Sequence, residues 1–323
     1  MRVSRPRRAA RWGVTLAFGL AISMMGSSLP RSVAATQPRI PEDVVPESGA
    51  LFGAYVNYTG DGSPAALKAE LLAREAALGR TLDYHTMFFG FRQPLASQLV
   101  AWDVQSGRIP LISWAGADTQ LIVAGSYDDI IRSQAIALRD LGGPIIVRWG
   151  WEGEGLRNRS WAHSGPLYVD AWRHIVTIFR AEGATNVMFA WVGIAVSFTN
   201  GVAAPFYPGD DWVDWIGVDG YNWSPGRSGF PWISFEQIFS AFYAWAEPKD
   251  APLMIAEFGV QERYPGEKAA WFAAAGDVLM TRFPDVKAIS YFDTLGRYDW
   301  RIDTSTSSFD VFKALATNPY FNA

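Results

Sequence analysis

A single-domain (β/α)₈ barrel is the fold this sequence predicts, on three observations. Short apolar runs of β type alternate with helix-period segments, there are eight such runs, and no stretch between them has the composition of an interdomain linker. Strands joined by helical crossovers must run parallel and be buried on both faces. In one chain of this length a closed barrel satisfies all eight. An open doubly wound sheet is the competing arrangement. It would want a glycine-rich phosphate loop after the first run, and YVNYTGDGSP does not provide a good one.

Taken in order, residues 1–35 read as a secretory signal peptide. MRVSRPRRAARWG carries Arg2, Arg5, Arg7, Arg8 and Arg11, VTLAFGLAISMM is a short apolar run, and SVAAT offers small residues for cleavage after Ala35. The apolar run is too short for a convincing membrane span. Residues 36–49, within TQPRIPEDVVPESGA, are Pro-rich and polar and read as an extended leader. The catalytic-domain candidate is 50–323. Its apolar runs are LFGAYV (51–56), DYHTMFFG (83–90), PLISW (110–114), PIIVRWG (144–150), NVMFAWV (186–192), DWIGVDG (214–220), PLMIAEFG (252–259) and VKAISYF (286–292). Between them lie helical patterns such as SPAALKAELLAREAALG, YDDIIRSQAIALRDLGG and YVDAWRHIVTIFRAEG. The last two end in glycine after a final turn containing Arg, a normal helix stop.

Composition narrows the function classes. There is no Cys, so neither a disulfide nor a lipidated cysteine is available, and stability rests on packing. Removal of 1–35 takes away six Arg and no acid, leaving 22 basic and 32 acidic residues and a formal charge of −10. That argues against nucleic acid or an anionic membrane as partner. His85, His163 and His174 are scattered on a strand, a loop and a helix, so no metal cluster forms from them. No Gly-x-Ser-x-Gly elbow or phosphate loop is present, and no cofactor is implied.

Functional groups of a barrel sit at the C-terminal ends of its strands. Glu152 lies just past the fourth run, in IIVRWGWEGEG, and Glu257 lies at the end of the seventh. Two glutamates meeting over one barrel mouth are the arrangement that glycoside hydrolysis uses, one to protonate the leaving oxygen and one to attack or to activate water. The alternative is a pair of solvated loop acids or an ion pair with Arg148. Arg148 shares strand parity with Glu152 and should point inward, as a structural partner or as a cation beside the nucleophile. Trp114, Trp191 and Trp223 stand at or just past the third, fifth and sixth runs. Each is a core residue or a platform for a pyranose ring.

The strings RWGWE (148–152), YVDAWRHIVTIFRAEGATNVMFAWV (168–192), FYPGDDWVDWIGVDGYNW (206–223) and APLMIAEFG (251–259) resemble glycoside hydrolase family 26, across nearly all of residues 50–295. The resemblance implies a retaining endo-hydrolase of β-linked polysaccharide, most often β-mannan, sometimes β-glucan or β-xylan. It implies Glu152 as acid/base, Glu257 as nucleophile and Tyr221 as a hydroxyl supporting the nucleophile. The chain departs from the family around the acid, where His-Glu-Met-Asn-Gly is common. Trp151 stands in place of the sugar-contacting His, and Glu154 in place of Asn. Trp151 is therefore a candidate substrate contact, and Glu154 a solvated rim residue or a sugar-hydroxyl contact.

The expectation is an exported or envelope-associated monomer acting on a polysaccharide. Two rivals stand beside it, a non-catalytic carbohydrate-binding barrel and an enzyme that transfers glycan between chains. Export has a direct check: the mature protein should begin near Thr36 and be indifferent to reducing agent. Intact-mass measurement of exported protein that still carries residues 1–35 would reject cleavage and favour a membrane anchor.

Overall fold

Eight parallel strands close into a barrel in chain order in the computed structural model, which describes residues 44–56 and 61–321. The signal segment 1–35 and residues 36–43 of the leader lie outside the described residues. The strands are β1 (Leu51–Val56), β2 (Tyr84–Phe89), β3 (Ile109–Trp114), β4 (Ile145–Trp149), β5 (Val187–Ile194), β6 (Trp215–Asn222), β7 (Leu253–Val260) and β8 (Val286–Asp293). Every boundary falls within two residues of its apolar run. The helices are α1 (Pro64–Leu78), α2 (Gln98–Gln105), α3 (Thr119–Val123), α4 (Asp128–Arg139), α5 (Arg159–Ala162), α6 (Gly165–Ala181), α7 (Ala195–Thr199), α8 (Phe235–Ala246), α9 (Glu267–Thr281) and α10 (Thr306–Ala316).

Local chemistry sets the helix ends. Before α1, the Ser63 hydroxyl accepts the Ala66 N–H and Pro64 supplies a first-turn residue that needs no donor. Gly79 closes the same helix at φ 81°, where its N–H reaches the Glu75 carbonyl. Ser234 and Gln237 cap each other reciprocally at the start of α8.

Strand alternation divides the apolar residues into two shells. Tyr84, Leu111, Ile146, Met188, Trp215 and Met254 fill the barrel interior, and Val44 joins them from the end of the leader. Gly53 leaves room for the Tyr84 ring, since a Cβ there would lie 2.7 Å from it. The alternate positions face outward under the helices. Trp114 and Trp191 are on this outer side, which corrects their candidacy as sugar platforms. Trp114 is 0% exposed, stacked on Phe91 at 5.1 Å, and its indole N–H donates to the Phe91 carbonyl. Trp191 is 1% exposed and packs against Phe198, Tyr207 and Trp245. Trp114 ends β3 and Trp191 lies three residues before the end of β5, and parity turns both indoles away from the mouth. His85 also faces outward, with Nδ1 2.8 Å from Asp103.

Truncation separates a packing role from a binding one. Trp114→Ala and Trp191→Ala should each destabilise the protein by about 3–5 kcal/mol, read from denaturant melts. The folded variants should retain the parent's affinity for sugar. Loss of affinity without loss of stability would restore these residues to the cleft.

Candidate active site

The site is built on a guanidinium at the top of the barrel interior. Arg148 follows Ile146 inward by strand parity and is fully buried. Its Nε donates to Ser113 Oγ at 2.7 Å on β3, and Nη1 donates to both Asp219 oxygens at 3.1 Å on β6. Its Nη2 donates to Glu257 Oε1 on β7. The other oxygen, Glu257 Oε2, accepts the Tyr221 hydroxyl. Both acceptors of this carboxylate are thus held, one by a cation and one by a phenol. Burial, then the charge of Glu257, pushes the Tyr221 phenol well above its usual range, so it stays a donor.

Glu257 reaches this position through an irregularity in β7. Met254 and Ala256 face the interior while Ile255 and Phe258 pack outward, so strict alternation would send Glu257 out as well. The register between β7 and β8 slips between Ile255 and Phe258, and that between β6 and β7 slips at Val218/Asp219. These bulges place two consecutive residues of β7 on the inner side and aim Glu257 at Arg148.

Glu152 is placed by an equally local device. Gly150 and Glu152 have φ of 55° and 56°, a left-handed conformation that costs a non-glycine residue about 1 kcal/mol or more. The Glu152 N–H donates to the Val192 carbonyl at 2.9 Å, and Asn158 Nδ2 donates to the Glu152 carbonyl at 2.8 Å. The loop therefore holds the strained residue from both sides. Burial, then the charges of Glu257 and Glu154, raises the Glu152 carboxyl to about 7, against the pull of Arg148 and Arg157. Asp219 is likewise raised well above its usual range, by burial and then by Glu257, despite its pairing with Arg148.

Glu154 is not on the rim. It is 3% exposed, and its Oε1 accepts the Ile194 N–H at 2.6 Å, tying the loop after β4 to the end of β5. A backbone donor lies within its reach because Gly193 carries no side chain; a Cβ there would lie 3.0 Å from Oε1. Burial raises its carboxyl above the usual value.

Trp151 is half-buried beside the pair, edge-on to Phe88 at 5.5 Å, with the Arg148 guanidinium 5.4 Å from its ring centre. Trp223 also comes to the mouth, 5.1 Å from the Tyr221 ring and 5.4 Å from Trp300. Its ring is covered by Arg227 at 4.6 Å, so it is not a bare platform. The structure thus gathers Glu152, Glu257, Arg148, Tyr221, Trp151 and Trp223 at one end of the barrel and leaves Trp114 and Trp191 outside. It adds Asp219, Tyr55, Phe88 and Phe292. Tyr55 stacks on Phe292 at 4.9 Å, and its phenol is raised by burial and then by Glu257. Inward parity at the tops of β1, β2, β6 and β8 was the signal that would have found these four.

Comparison with known proteins agrees with this architecture. The family model "Glycosyl hydrolase family 26" matches residues 108–278, just over half of the chain and inclusive of both glutamates. Endoglucanase H of Acetivibrio thermocellus is 31% identical over 276 residues, 82% of this chain and 30% of that protein. The beta-1,3-xylanase TXYA of a Vibrio species is 26% identical over 122 residues, 36% of this chain and 26% of that one. The chain thus spans less than a third of the length of either relative. Among solved structures, the β-mannanase of Bacteroides ovatus superposes with a TM-score of 0.59 at 16% identity, over 85% of this chain and 90% of that chain. The modular endo-β-1,4-mannanase of Cellulomonas fimi gives 0.60 at 17%, over 84% and 71%. At such identities the structural likeness speaks for the barrel, and the sequence match carries the family. The chain belongs to glycosyl hydrolase family 26.

Proposed function

We propose that this protein is an exported, retaining endo-glycoside hydrolase of a β-linked polysaccharide, with Glu152 as acid/base and Glu257 as nucleophile. The observation that carries the reading is the contrast between the two carboxyls. Glu257 has both oxygens held as acceptors by Arg148 and Tyr221, which aims it at one point above the barrel. Glu152, raised by burial and then by the charge of Glu257, holds a proton up to about pH 7. A proton donor facing an oriented carboxylate is what double displacement requires. Glu257 attacks the anomeric carbon as the Glu152 proton passes to the leaving oxygen, giving a glycosyl ester on Glu257. Glu152, now ionised, takes a proton from water, and that water breaks the ester with net retention.

For the backbone, β-glucan comes first and β-mannan second. The relative matched along 82% of the chain is named an endoglucanase, whereas the mannanases resemble it at 16–17% identity. Reducing-sugar release from β-glucans, β-mannans and β-xylans tests this choice. A panel without any cleavage would leave only a binding function.

The two glutamates should fail differently. With an aryl glycoside that needs little protonation, Glu152→Ala should still form the ester but release it slowly, and azide should restore turnover as the β-glycosyl azide. Glu257→Ala rescued by azide should give the α product. An α-azide from Glu152→Ala would mean the roles are reversed.

Ionisation of Glu152 should also set the alkaline limb of activity. The first step needs its proton, so kcat/KM on a natural polysaccharide should fall about tenfold per pH unit above about 7. Glu152→Gln assayed on an activated aryl glycoside should lose that limb. A limb that persists in the variant would belong to another group.

A further inference from the structure

The arginines of this barrel divide by position. On the longer helices and on the N-terminal side of the barrel they are partnered, as Arg132 is by Glu182, Arg108 by Glu75 and Arg282 by Glu236. Among the described residues, five have neither a carboxylate within ion-pair distance nor a carbonyl as acceptor: Arg92, Arg157, Arg159, Arg227 and Arg297. All five stand in segments that leave the C-terminal ends of strands, Arg92 after β2, Arg157 and Arg159 after β4, Arg227 after β6 and Arg297 after β8. In a closed barrel of eight strands in chain order these segments stand about a quarter-turn apart. The unpaired cations therefore ring the mouth.

Two of them are tied to the catalytic pair. The charge of Arg157 acts on Glu152. Arg227 lies 4.6 Å from the centres of both the Trp223 and Phe230 rings, and Trp223 is 5.1 Å from Tyr221, the donor to Glu257. Arg297 sits over Tyr298, which touches Trp223 at 5.5 Å. Nearby carboxylates are already engaged, Asp118 of the segment after β3 with His163 and Asp299 of the segment after β8 with Arg301. This cationic rim belongs to a chain that carries ten net negative charges once residues 1–35 are set aside. It contains no exposed lysine, because Lys268, the one lysine near these loops, is buried.

From this distribution we propose that the substrate is an anionic polysaccharide, a β-linked chain whose sugars carry carboxylate or sulfate groups read by the arginine rim. The inference rests on the glycosidase reading and narrows it. A neutral pyranose would be served by an open indole face, yet Arg227 covers the Trp223 ring. A guanidinium stacked on aromatic rings is partly desolvated and preorganised, and its N–H edge stays free for a bidentate oxyanion. The centre of the mouth has one cation, Arg148, and it is already engaged by Ser113, Asp219 and Glu257, so it offers an anionic group no partner. The charged groups therefore sit on sugars flanking the cleaved bond, within reach of the Arg157 loop on one side and of Arg227 and Arg297 on the other.

The test pairs neutral β-glucan oligosaccharides with their C6-carboxylated and C6-sulfated counterparts, and neutral with uronate-bearing mannan and xylan oligosaccharides. Binding is measured by calorimetry on the full-length Glu257→Gln protein, and cleavage on the parent. At low salt the anionic member of at least one pair should bind tenfold or more tightly, and the advantage should shrink several-fold by 0.5 M NaCl, as screened charge requires. The carboxylated and sulfated arms identify which anion is read. Arg227→Gln and Arg297→Gln should each lower the anionic-to-neutral ratio at least threefold, whereas Arg132→Gln on α4 should leave the ratio in place. Equal or tighter binding of the neutral member in every pair overturns the inference alone. Absence of binding and cleavage across all members, neutral and anionic, overturns the glycosidase reading with it.

Discussion

The barrel mouth depends on one buried cation. Removing a guanidinium from water costs several kcal/mol unless its donors are met, and Arg148 meets that demand with Ser113, Asp219 and Glu257 from β3, β6 and β7. These partners lie on opposite sides of the barrel. The same contacts that satisfy the arginine therefore fix the relative register of distant strands at the level of the active site. The carboxylates outnumber it, however. Asp219, Glu257 and Glu152 share the field of a single positive charge, so they cannot all ionise without cost. Burial, and then this crowding, raises the Glu152 carboxyl, while Glu257 is the glutamate that Arg148 holds directly.

That arrangement opposes stability. The Glu152 carboxyl rises from 4.5 to about 7 on folding, so between those values the native state holds a proton that the unfolded chain has released. Stability contributed through this group is thus full at acid pH and declines as pH rises across the window, on the order of 3 kcal/mol. The left-handed backbone at Glu152 and the register slips at Asp219 and Glu257 add strain in the same region. Outside the mouth the chain is regular, with capped helices, a filled barrel interior and an outer shell in which Trp114, Trp149, Trp172 and Trp191 are fully buried.

Most of this fold was legible in the sequence because parallel buried strands leave continuous apolar runs, and their ends are marked by glycine or by acids. LFGAYV and VKAISYF became β1 and β8 with a boundary change of at most one residue. The inward placement of Arg148 followed from counting alternate residues back from Glu152. The same count misplaces Glu257, which faces the mouth only because of a bulge, and bulges leave no mark in an apolar pattern. Trp114 and Trp191 differ from expectation for the opposite reason. Proximity to a strand end does not set the direction of a side chain, and parity alone separates an indole under a helix from one over the cleft. Glu154 resembled a solvated acid because its surroundings are glycines. A glycine distant in sequence, Gly193 of β5, is what lets the Ile194 N–H reach it.

The departures from the family pattern acquire a physical meaning in this setting. Trp151 replaces an imidazole with a larger indole over the Arg148 guanidinium, edge-on to Phe88 in the barrel's top layer. The change exchanges a ring that can donate or accept for one that can only donate, and it covers the buried cation. Glu154 places a second carboxyl behind the acid, where its charge raises Glu152 as that of Glu257 does, while Arg157 three residues on acts against both. The proton affinity of the candidate acid is therefore a balance struck within the loop 150–159 as well as across the barrel. A loop that sets both the acid's strength and the nearest rim charge couples catalysis to the electrostatics of whatever chain lies in the cleft. An anion bound near Arg157 would weaken its pull on Glu152 and strengthen that residue's hold on its proton. Charge on the substrate can then act on rate as well as on affinity.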